Sequence, residues 1–76
     1  MNKNRLDALG PVLRKLRLER NLTQEQLSEM VDVASPYISM LESGHKYPNL
    51  EMLFKLADAL GVCPGAILDE MDRSLI

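Results

Sequence analysis

The side chains best suited to chemistry lie between Thr23 and Asn49, and the chemistry they suit is the binding of anions. Gln24 directly follows Thr23, which predicts a helix start, where backbone N–H groups and the positive helix end favour a phosphate. More polar groups surround the start of a later predicted helix: Ser43, Lys46, Tyr47 and Asn49. Tyr37 can add its hydroxyl, although packing at the edge of the segment is the alternative for this ring. We expect this set to contact phosphate groups.

Catalysis and metal binding find no support in the chain. It has a single histidine, His45, and a single cysteine, Cys63, and the pattern does not bring them together. Paired carboxylates, a glycine-rich phosphate loop and metal-ligand spacing do not appear. A pH-sensing His45 and a redox-active Cys63 are weaker alternatives to an exposed loop residue and a half-buried thiol. The sequence therefore predicts no enzyme, no cofactor and no metal.

The segment Thr23 to Gly44 reads as two short helices separated by a tight turn. Thr23 and Gln26 have the spacing of a capping box, and the first helix is predicted to turn an apolar face inward: Leu27, Met30 and Val31. Ser35 is predicted to cap the second helix, with Pro36 as its first residue. Gly44 is expected to end that helix. The spacing matches a helix-turn-helix, which lays its second helix in the major groove of DNA.

The outward face of the second helix carries no strong base-reading group. Ile38 and Leu41 define the core direction, and the residues expected to point away are Pro36, Ser39, Met40 and Ser43, with Ser35 and Tyr37 on the flanks. Because this face lacks Arg, Lys, Asn and Gln, bidentate readout of guanine or adenine cannot come from it. Serine hydroxyls and contacts to thymine methyl groups remain, so DNA shape and half-site spacing are expected to supply selectivity.

These elements resemble the XRE, or lambda-repressor-like, family of bacterial and phage transcription regulators. The matching positions run in one register from Leu9 to Leu68: Arg14-x-x-Arg17, Leu22-Thr23-Gln24-x-x-Leu27, Tyr37-Ile38-Ser39-x-x-Glu42-x-Gly44, Pro48, Leu50, Leu53, Leu56-Ala57-x-Ala59-Leu60-Gly61-Val62 and Ile67-Leu68. Two positions depart from the family pattern, since Ser28 and Asp32 stand where alanine and glycine are favoured. The resemblance implies a compact five-helix all-α domain, with the helix-turn-helix formed by helices two and three.

The resemblance also implies roles for individual residues. It places Ser35, Pro36, Ser39 and Met40 at base-reading positions. It assigns Gln24 to a phosphate, and it pairs Arg17 with Glu42 in a partly buried salt bridge that orients the recognition helix. Double-stranded operator DNA is the implied partner, bound by a homodimer that acts as a repressor. A regulatory protein partner is left open.

The rest of the chain supplies three further helices in a single domain of residues 1–76. Helix one is predicted from Pro11 to Arg20, with Leu9, Leu13 and Leu16 inward. Asn49 is predicted to cap helix four, whose expected buried residues are Leu50, Leu53, Phe54, Ala57 and Leu60. Helix five is predicted from Gly65 to Arg73, after Pro64. Asn21 and Asp32 are expected to tolerate left-handed turns.

The C-terminal segment 65–76 is predicted to form the dimer interface. Its apolar residues fall within one arc of a helical wheel: Ile67, Leu68, Met71, Leu75 and Ile76. Ile67 and Leu68 are expected to close the protomer's own core, whereas the other three extend beyond it. An exposed apolar edge of this kind usually marks an interface. A disordered tail is the alternative.

Charge is distributed unevenly along the chain, whose net charge is −2. Residues 1–24 carry six basic and two acidic side chains, a net +4, and residues 25–76 carry three basic and nine acidic ones, a net −6. This asymmetry predicts one basic and one acidic surface, with an ordinary solvated face on helix one as the alternative. No membrane span or signal sequence is predicted, so we expect a cytoplasmic, nucleoid-associated protein. The rival function is a protein-interaction module of the same fold that has lost DNA binding.

Overall fold

The computed structural model describes residues 4–74, and within that range all of the regular secondary structure is helical. A short 3-10 helix at Arg5–Ala8 leads into five α-helices: α1 (Leu9–Glu19), α2 (Gln24–Met30), α3 (Ser35–Ser43), α4 (Leu50–Leu60) and α5 (Pro64–Arg73). The predicted all-α class and the predicted five helices are confirmed. No helix within residues 4–74 is long and apolar enough to cross a membrane.

Helix α1 begins earlier than its sequence predicts. The sequence predicts a start at Pro11, after Gly10, but Gly10 lies inside the helix and is buried. Asn4 caps the preceding 3-10 helix by accepting a hydrogen bond from the Leu6 amide at 2.9 Å, so the chain is already wound when α1 begins. The predicted inward residues Leu9, Leu13 and Leu16 are all buried, and Val12, which was not predicted inward, is buried with them.

Local hydrogen bonds fix the ends of α2. The Thr23 hydroxyl accepts from the Gln26 amide at 3.0 Å, and the Gln26 side chain accepts from the Thr23 amide at 2.8 Å, which confirms the predicted capping box. Leu27 and Val31 are buried, but the inward prediction for Met30 is wrong, since 55% of it is exposed. Ser28 takes the inward place instead and donates to the Glu25 carbonyl. Its small side chain suits the close packing of α2 against α3.

The turn and the α3 ends follow the sequence with one correction. Asp32 has φ of 59° and Asn21 has φ of 57°, so both adopt the left-handed conformation predicted for them. The N-cap of α3 is Ala34, which makes no side-chain capping bond. The predicted cap, Ser35, is the first residue of the helix, and Pro36 is the second. Gly44, at φ of 83°, ends the helix as predicted.

The inward stripe of α4 differs from the predicted one. Leu56, Ala57 and Leu60 are buried and Leu53 is half-buried, whereas Leu50 and Phe54 are 66% and 48% exposed. The predicted burial of Leu50 and Phe54 is therefore wrong. The stripe is centred on Leu53, Leu56 and Leu60, which turns the other two side chains to its edge.

Helix α5 also corrects an expectation. Ile67 is fully buried as predicted, but Leu68 is 50% exposed and Met71 is only 7% exposed. Ile67 and Met71 are four residues apart and both face the core, because α5 packs against α1, α4 and the 3-10 helix. Met71 thus belongs to the protomer's interior, and the exposed position that was expected for Met71 is occupied by Leu68. The other two predicted interface residues, Leu75 and Ile76, lie outside the described residues.

Candidate nucleic-acid interface

Helix α3 presents a small polar face to solvent. Ile38 and Leu41 are each 1% exposed and anchor the helix in the core, while Pro36, Ser39 and Ser43 are exposed. Ser35 and Met40, also predicted to face the bases, are half-buried at the edges of this surface. The exposed face is narrow and uncharged. It offers hydroxyl groups and apolar carbon atoms to a partner, and it carries no cationic side chain.

One of these hydroxyl groups is already engaged. The Ser43 Oγ lies 2.7 Å from Nδ1 of His45 and 3.3 Å from the Met40 carbonyl oxygen. The amides of His45 and Lys46 also donate to that carbonyl, so the chain folds back over the C-terminal end of α3. Ser39 makes no side-chain hydrogen bond of this kind within the described residues. Ser39 is therefore the serine with a free hydroxyl at the centre of the face.

A buried ion pair fixes α3 to α1. The Arg17 Nε lies 2.6 Å from Glu42 Oε2, and its Nη2 lies 3.1 Å from Oε1, which is a bidentate contact. The third nitrogen of the guanidinium, Nη1, donates to the Leu22 carbonyl at 2.6 Å. The two side chains are only 8% and 5% exposed. Arginine suits this position because its planar fork satisfies the carboxylate and the carbonyl together.

Gln24 extends this network to the start of α2. Its Nε2 donates to Glu42 Oε1 at 3.1 Å, so one of its two amide hydrogens is committed and the other is available to a phosphate. Glu42 thus accepts from both α1 and α2 while it lies near the end of α3. The Gln24–Glu42 contact was missed by sequence reasoning because the residues are 18 positions apart and no local spacing rule relates them.

Gly10 brings α1 and α3 into unusually close contact. A Cβ atom at this position would lie 2.9 Å from the Glu42 carbonyl carbon and 3.0 Å from the Leu41 carbonyl oxygen, and closer still to the Glu42 carbonyl oxygen. All three are backbone atoms, which cannot rotate away. This contact was also missed, since the sequence suggested only that Gly10 precedes a helix. A glycine inside an otherwise regular helical pattern was the available signal.

The remaining predicted phosphate contacts lie in and around the loop after α3. Lys46 and Tyr47 are exposed in that loop. Asn49 caps α4 as predicted, with its Oδ1 accepting from the Met52 amide at 2.7 Å, which leaves its amide nitrogen for another partner. Tyr37 is half-buried and its ring packs against the core, so the packing alternative describes its position. No group of three potential metal ligands occurs within residues 4–74.

Comparisons with known proteins find transcription regulators among the relatives of this chain. The sequence profile named Helix-turn-helix matches residues 13–67. An uncharacterized HTH-type transcriptional regulator of Sinorhizobium fredii, y4dJ, is 39% identical over 66 residues, which span 87% of this chain and 86% of that protein. The immunity repressor protein of Bacillus phage phi105 is 36% identical over 62 residues, covering 82% of this chain and 43% of the repressor.

A solved structure resembles nearly the whole chain. The clp gene regulator ClgR from Corynebacterium glutamicum matches with a TM-score of 0.93 and 32% sequence identity. The match covers 99% of this chain and 80% of the ClgR chain. The five-helix arrangement and its helix-turn-helix are therefore shared with a regulator of known structure.

Proposed function

This chain belongs to the helix-turn-helix family of DNA-binding transcription regulators, and we propose that it binds a palindromic operator as a homodimer and represses transcription. Helix α3 enters the major groove, with Ser35, Pro36, Ser39 and Met40 towards the base edges. The observation that carries this proposal is the exposed outer face of α3, on a helix held in a fixed orientation by the buried Arg17–Glu42 pair. A recognition helix must be held rigidly if its exposed side chains are to meet base edges in one register.

Phosphate contacts place the helix on the duplex in this proposal. Gln24 offers its free amide hydrogen from the start of α2, and Lys46 supplies the cation of the loop after α3. Ser43, Tyr47 and Asn49 contact phosphates of the same DNA strand. Tyr37 contributes least, because its ring is packed against the protein core. Such contacts fix orientation and carry no sequence information. The weak base-reading face leaves selectivity to DNA shape and to the spacing of two half-sites.

Repression is the sign of regulation that we favour. A protein of this size which occupies an operator prevents other proteins from occupying the same base pairs. The similarity to a phage immunity repressor supports this direction. The site of action is then chromosomal or phage DNA in the cytoplasm. Control by protein concentration, by dimer dissociation or by a regulatory protein partner fits this arrangement.

Selection from a random duplex library tests the proposal. We expect the recovered sequences to contain an inverted repeat, and their affinity to exceed that of random duplex at the same salt concentration. Binding to random duplex should weaken steeply with salt, by about 0.9 log units per log unit of salt for each phosphate contact. Recovery of sequences without a shared repeat, together with a flat salt dependence, would contradict the proposal.

Single variants separate the two kinds of contact. Lys46→Ala should weaken binding to the selected duplex and to random duplex alike. It should also reduce the slope of log affinity against log salt concentration by about one unit, the contribution of one phosphate contact. Ser39→Ala should leave random-duplex affinity unchanged and alter the base preference within the repeat. Gln24→Ala should likewise weaken binding to both duplexes, but it should leave the salt slope unchanged because the amide carries no charge. A Gln24→Ala variant that changed base preference at unaltered random-duplex affinity would show that the role of Gln24 is misassigned.

The second candidate function is a protein-interaction module that does not bind DNA. The observation favouring it is that α3 has no basic or amide side chain, in a chain of net charge −2. The same salt titration discriminates between the candidates. A protein-interaction module shows no salt-dependent affinity for random duplex, because that affinity comes from cations displacing counterions.

A further inference from the structure

The loop after α3 holds the ring of the chain's single histidine in a defined orientation. The Nδ1 atom of His45 lies 2.7 Å from the Ser43 Oγ, and that hydroxyl lies 3.3 Å from the Met40 carbonyl oxygen. The His45 amide donates to the same carbonyl at 2.9 Å, so the backbone is fixed as well. His45 is exposed, and its Nε2 has no hydrogen-bond or ion-pair partner within residues 4–74. The ring, the Ser43 hydroxyl and the Met40 carbonyl form what we call the His45 relay.

The hydrogen bonds of the His45 relay depend on where the ring carries its protons. When Nδ1 has no proton, the Ser43 hydroxyl must donate to it and cannot also donate to the Met40 carbonyl. When Nδ1 carries a proton, it donates to the Ser43 Oγ, and the Ser43 proton is available to the carbonyl. Only the imidazolium has a proton on both nitrogens, so only that form completes the relay while Nε2 is a charged donor. The carbonyl end of α3, where Ser43 lies, also favours a positive charge.

We propose that the His45 imidazolium, oriented by Ser43, is a second phosphate-binding cation of this loop, so that DNA binding takes up a proton. The inference rests on the proposed function, which places Lys46 of the same loop on a phosphate. A lysine keeps its charge throughout the physiological range, whereas a histidine is a cation only when protonated. A phosphate near Nε2 favours the charged ring, and by linkage the charged ring favours the phosphate to the same extent.

This inference changes the role of Ser43. In the imidazolium form its oxygen accepts from His45 and its proton is directed to the Met40 carbonyl, so the hydroxyl has no proton left for a phosphate. Ser43 is then a positioning residue, which acts on the phosphate through His45. Lys46 supplies a fixed charge in the loop, and His45 supplies a charge that depends on pH.

The elements next to this loop carry charges of both signs. The titratable side chains are Asp7 on the 3-10 helix, Glu42 on α3, Lys46 and Tyr47 in the loop itself, and Glu51 in the first turn of α4. Asp7 and Glu42 line one recess at the end of α3, and Glu42 is neutralised by its buried pair with Arg17. Lys46 adjoins His45 in the chain and repels a second positive charge. A bound phosphate offsets that repulsion, so proton uptake accompanies phosphate binding.

Measuring duplex affinity against pH at fixed ionic strength tests the inference. The dissociation constant of the unaltered chain for random duplex should rise by about tenfold between about pH 5.5 and 7.5, the scale of one charge-assisted hydrogen bond. His45→Gln keeps a neutral N–H donor but cannot be charged, so it should lose most of this dependence. It should match the unaltered chain within about threefold at pH 7.5 and bind about tenfold more weakly at pH 5.5. Contributions from the α-amino group or the thiol remain in this variant and are thereby subtracted.

A fixed charge and a salt titration give two further readouts. His45→Lys should bind random duplex at pH 7.5 within about threefold of the unaltered chain at pH 5.5, with little dependence on pH. The slope of log affinity against log salt concentration should be steeper by about 0.9 at pH 5.5 than at pH 7.5 for the unaltered chain, because one more phosphate is neutralised. The slope for His45→Gln should be the same at both pH values.

Ser43 variants test the orienting role separately. Ser43→Ala should weaken binding by about threefold or more at pH 5.5 and by less than about twofold at pH 7.5. Added to His45→Gln, it should have no further effect, because Ser43 acts only through the ring. Ser43→Thr keeps the hydroxyl and should retain the pH dependence. A loss that is equal at both pH values and in both backgrounds would show a direct phosphate contact by Ser43 and would overturn its assigned role.

The ring protonation can also be followed directly. Because the chain has one histidine, its imidazole C–H proton resonances in a magnetic resonance titration are unambiguous. The titration midpoint should lie at higher pH in the complex with the selected duplex than in the free chain. Equal midpoints would overturn the coupling between proton uptake and DNA binding.

The outcomes distinguish this inference from the function on which it rests. Salt-dependent binding to duplex that is equal at both pH values, or whose pH dependence survives His45→Gln, overturns the proton-linked site and leaves the DNA-binding regulator in place. The absence of salt-dependent affinity at either pH contradicts the proposed function and the inference together. Circular dichroism melts at both pH values establish that each variant is folded, so a loss of affinity is not a loss of structure.

Discussion

Helix α1 is tied to two neighbours by ion pairs, and the two connections are built differently. Towards α3, Arg17 and Glu42 form a bidentate pair whose side chains are 8% and 5% exposed. Towards α5, Lys15 approaches Glu70 at 3.4 Å with 54% and 27% of the two side chains exposed. Beside that second pair, Arg5 of the 3-10 helix approaches Asp72 at 3.3 Å, and both are more than half exposed.

The two connections have different roles: the buried pair sets the orientation of α3, whereas apolar packing holds α5 against α1. An exposed ion pair contributes little because water competes for both charges, so α5 is held mainly by burial of Ile67 and Met71. A buried pair has a narrow range of acceptable geometries, and losing one partner leaves a charge without water. The pair at α3 therefore fixes the angle of the recognition helix, whereas the pairs at α5 leave its orientation to apolar packing.

The largest expected effect comes from breaking the buried pair. Glu42→Ala leaves the Arg17 guanidinium buried with only the Leu22 carbonyl as acceptor, and should lower the free energy of unfolding by about 3 kcal/mol or more. For a domain of this size that corresponds to a fall in Tm of roughly 12–24 °C. Glu29→Ala, an exposed change on α2, is the control and should alter stability by less than about 0.5 kcal/mol. Thermal and urea unfolding measure both.

A double variant sharpens this prediction. Replacing both partners, as in Arg17→Met with Glu42→Leu, removes the charges together and should recover much of the lost stability. Because the bidentate contact that orients α3 is then gone, affinity for the selected duplex should be lower than that of the unaltered protein even where stability recovers. Equal melting temperatures for Glu42→Ala and Glu29→Ala would mean that Glu42 behaves as a surface residue and that the contrast between the two connections is wrong.

The next effect tests the close approach of α1 to α3. Gly10→Ala places a methyl group against the backbone of Leu41 and Glu42, and should cost about 1–3 kcal/mol as the helices move apart. Gly65→Ala is the matched control, because a Cβ there meets nothing within 4 Å. That control should be neutral or stabilising by up to about 1 kcal/mol, since alanine favours a helix. A Gly10→Ala protein as stable as Gly65→Ala would show that α3 can shift freely.

Features governed by neighbouring residues were predictable from the sequence. The Thr23–Gln26 capping box, the Asn49 cap and the left-handed Asn21, Asp32 and Gly44 all depend on contacts within a few positions. Helix identity and order follow from the same local rules together with apolar periodicity. The Arg17–Glu42 contact was available only through the family resemblance, since residues 25 positions apart have no spacing rule.

Burial at helix edges was predicted poorly because it depends on how each helix is rotated in the assembled core. On α4 the periodicity accommodated Leu50 and Phe54 as well as Leu56, and the packing of neighbouring helices selected Leu56. On α5 the same ambiguity led to the reverse of the observed burial, since Leu68 was expected in the core and Met71 at the surface. For the site, the identity of the exposed α3 residues was predictable, whereas the sharing of Glu42 between Arg17 and Gln24 required the tertiary arrangement.

The smallest expected effect comes from the exposed connection to α5. Lys15→Ala should lower the free energy of unfolding by about 0.2–0.5 kcal/mol, or roughly 1–4 °C in Tm. Glu70 keeps Arg73 at 3.6 Å after the change and stays partly hydrated, so no charge is stranded as it is at Glu42. At about 1 M salt the Debye length is about 3 Å, so the free energies of unfolding of Lys15→Ala and of the unaltered protein should become nearly equal. The deficit of Glu42→Ala should persist, because salt cannot screen a charge that solvent does not reach. A loss above about 1.5 kcal/mol in Lys15→Ala would mean that the exposed pair positions α5 as firmly as the buried pair positions α3.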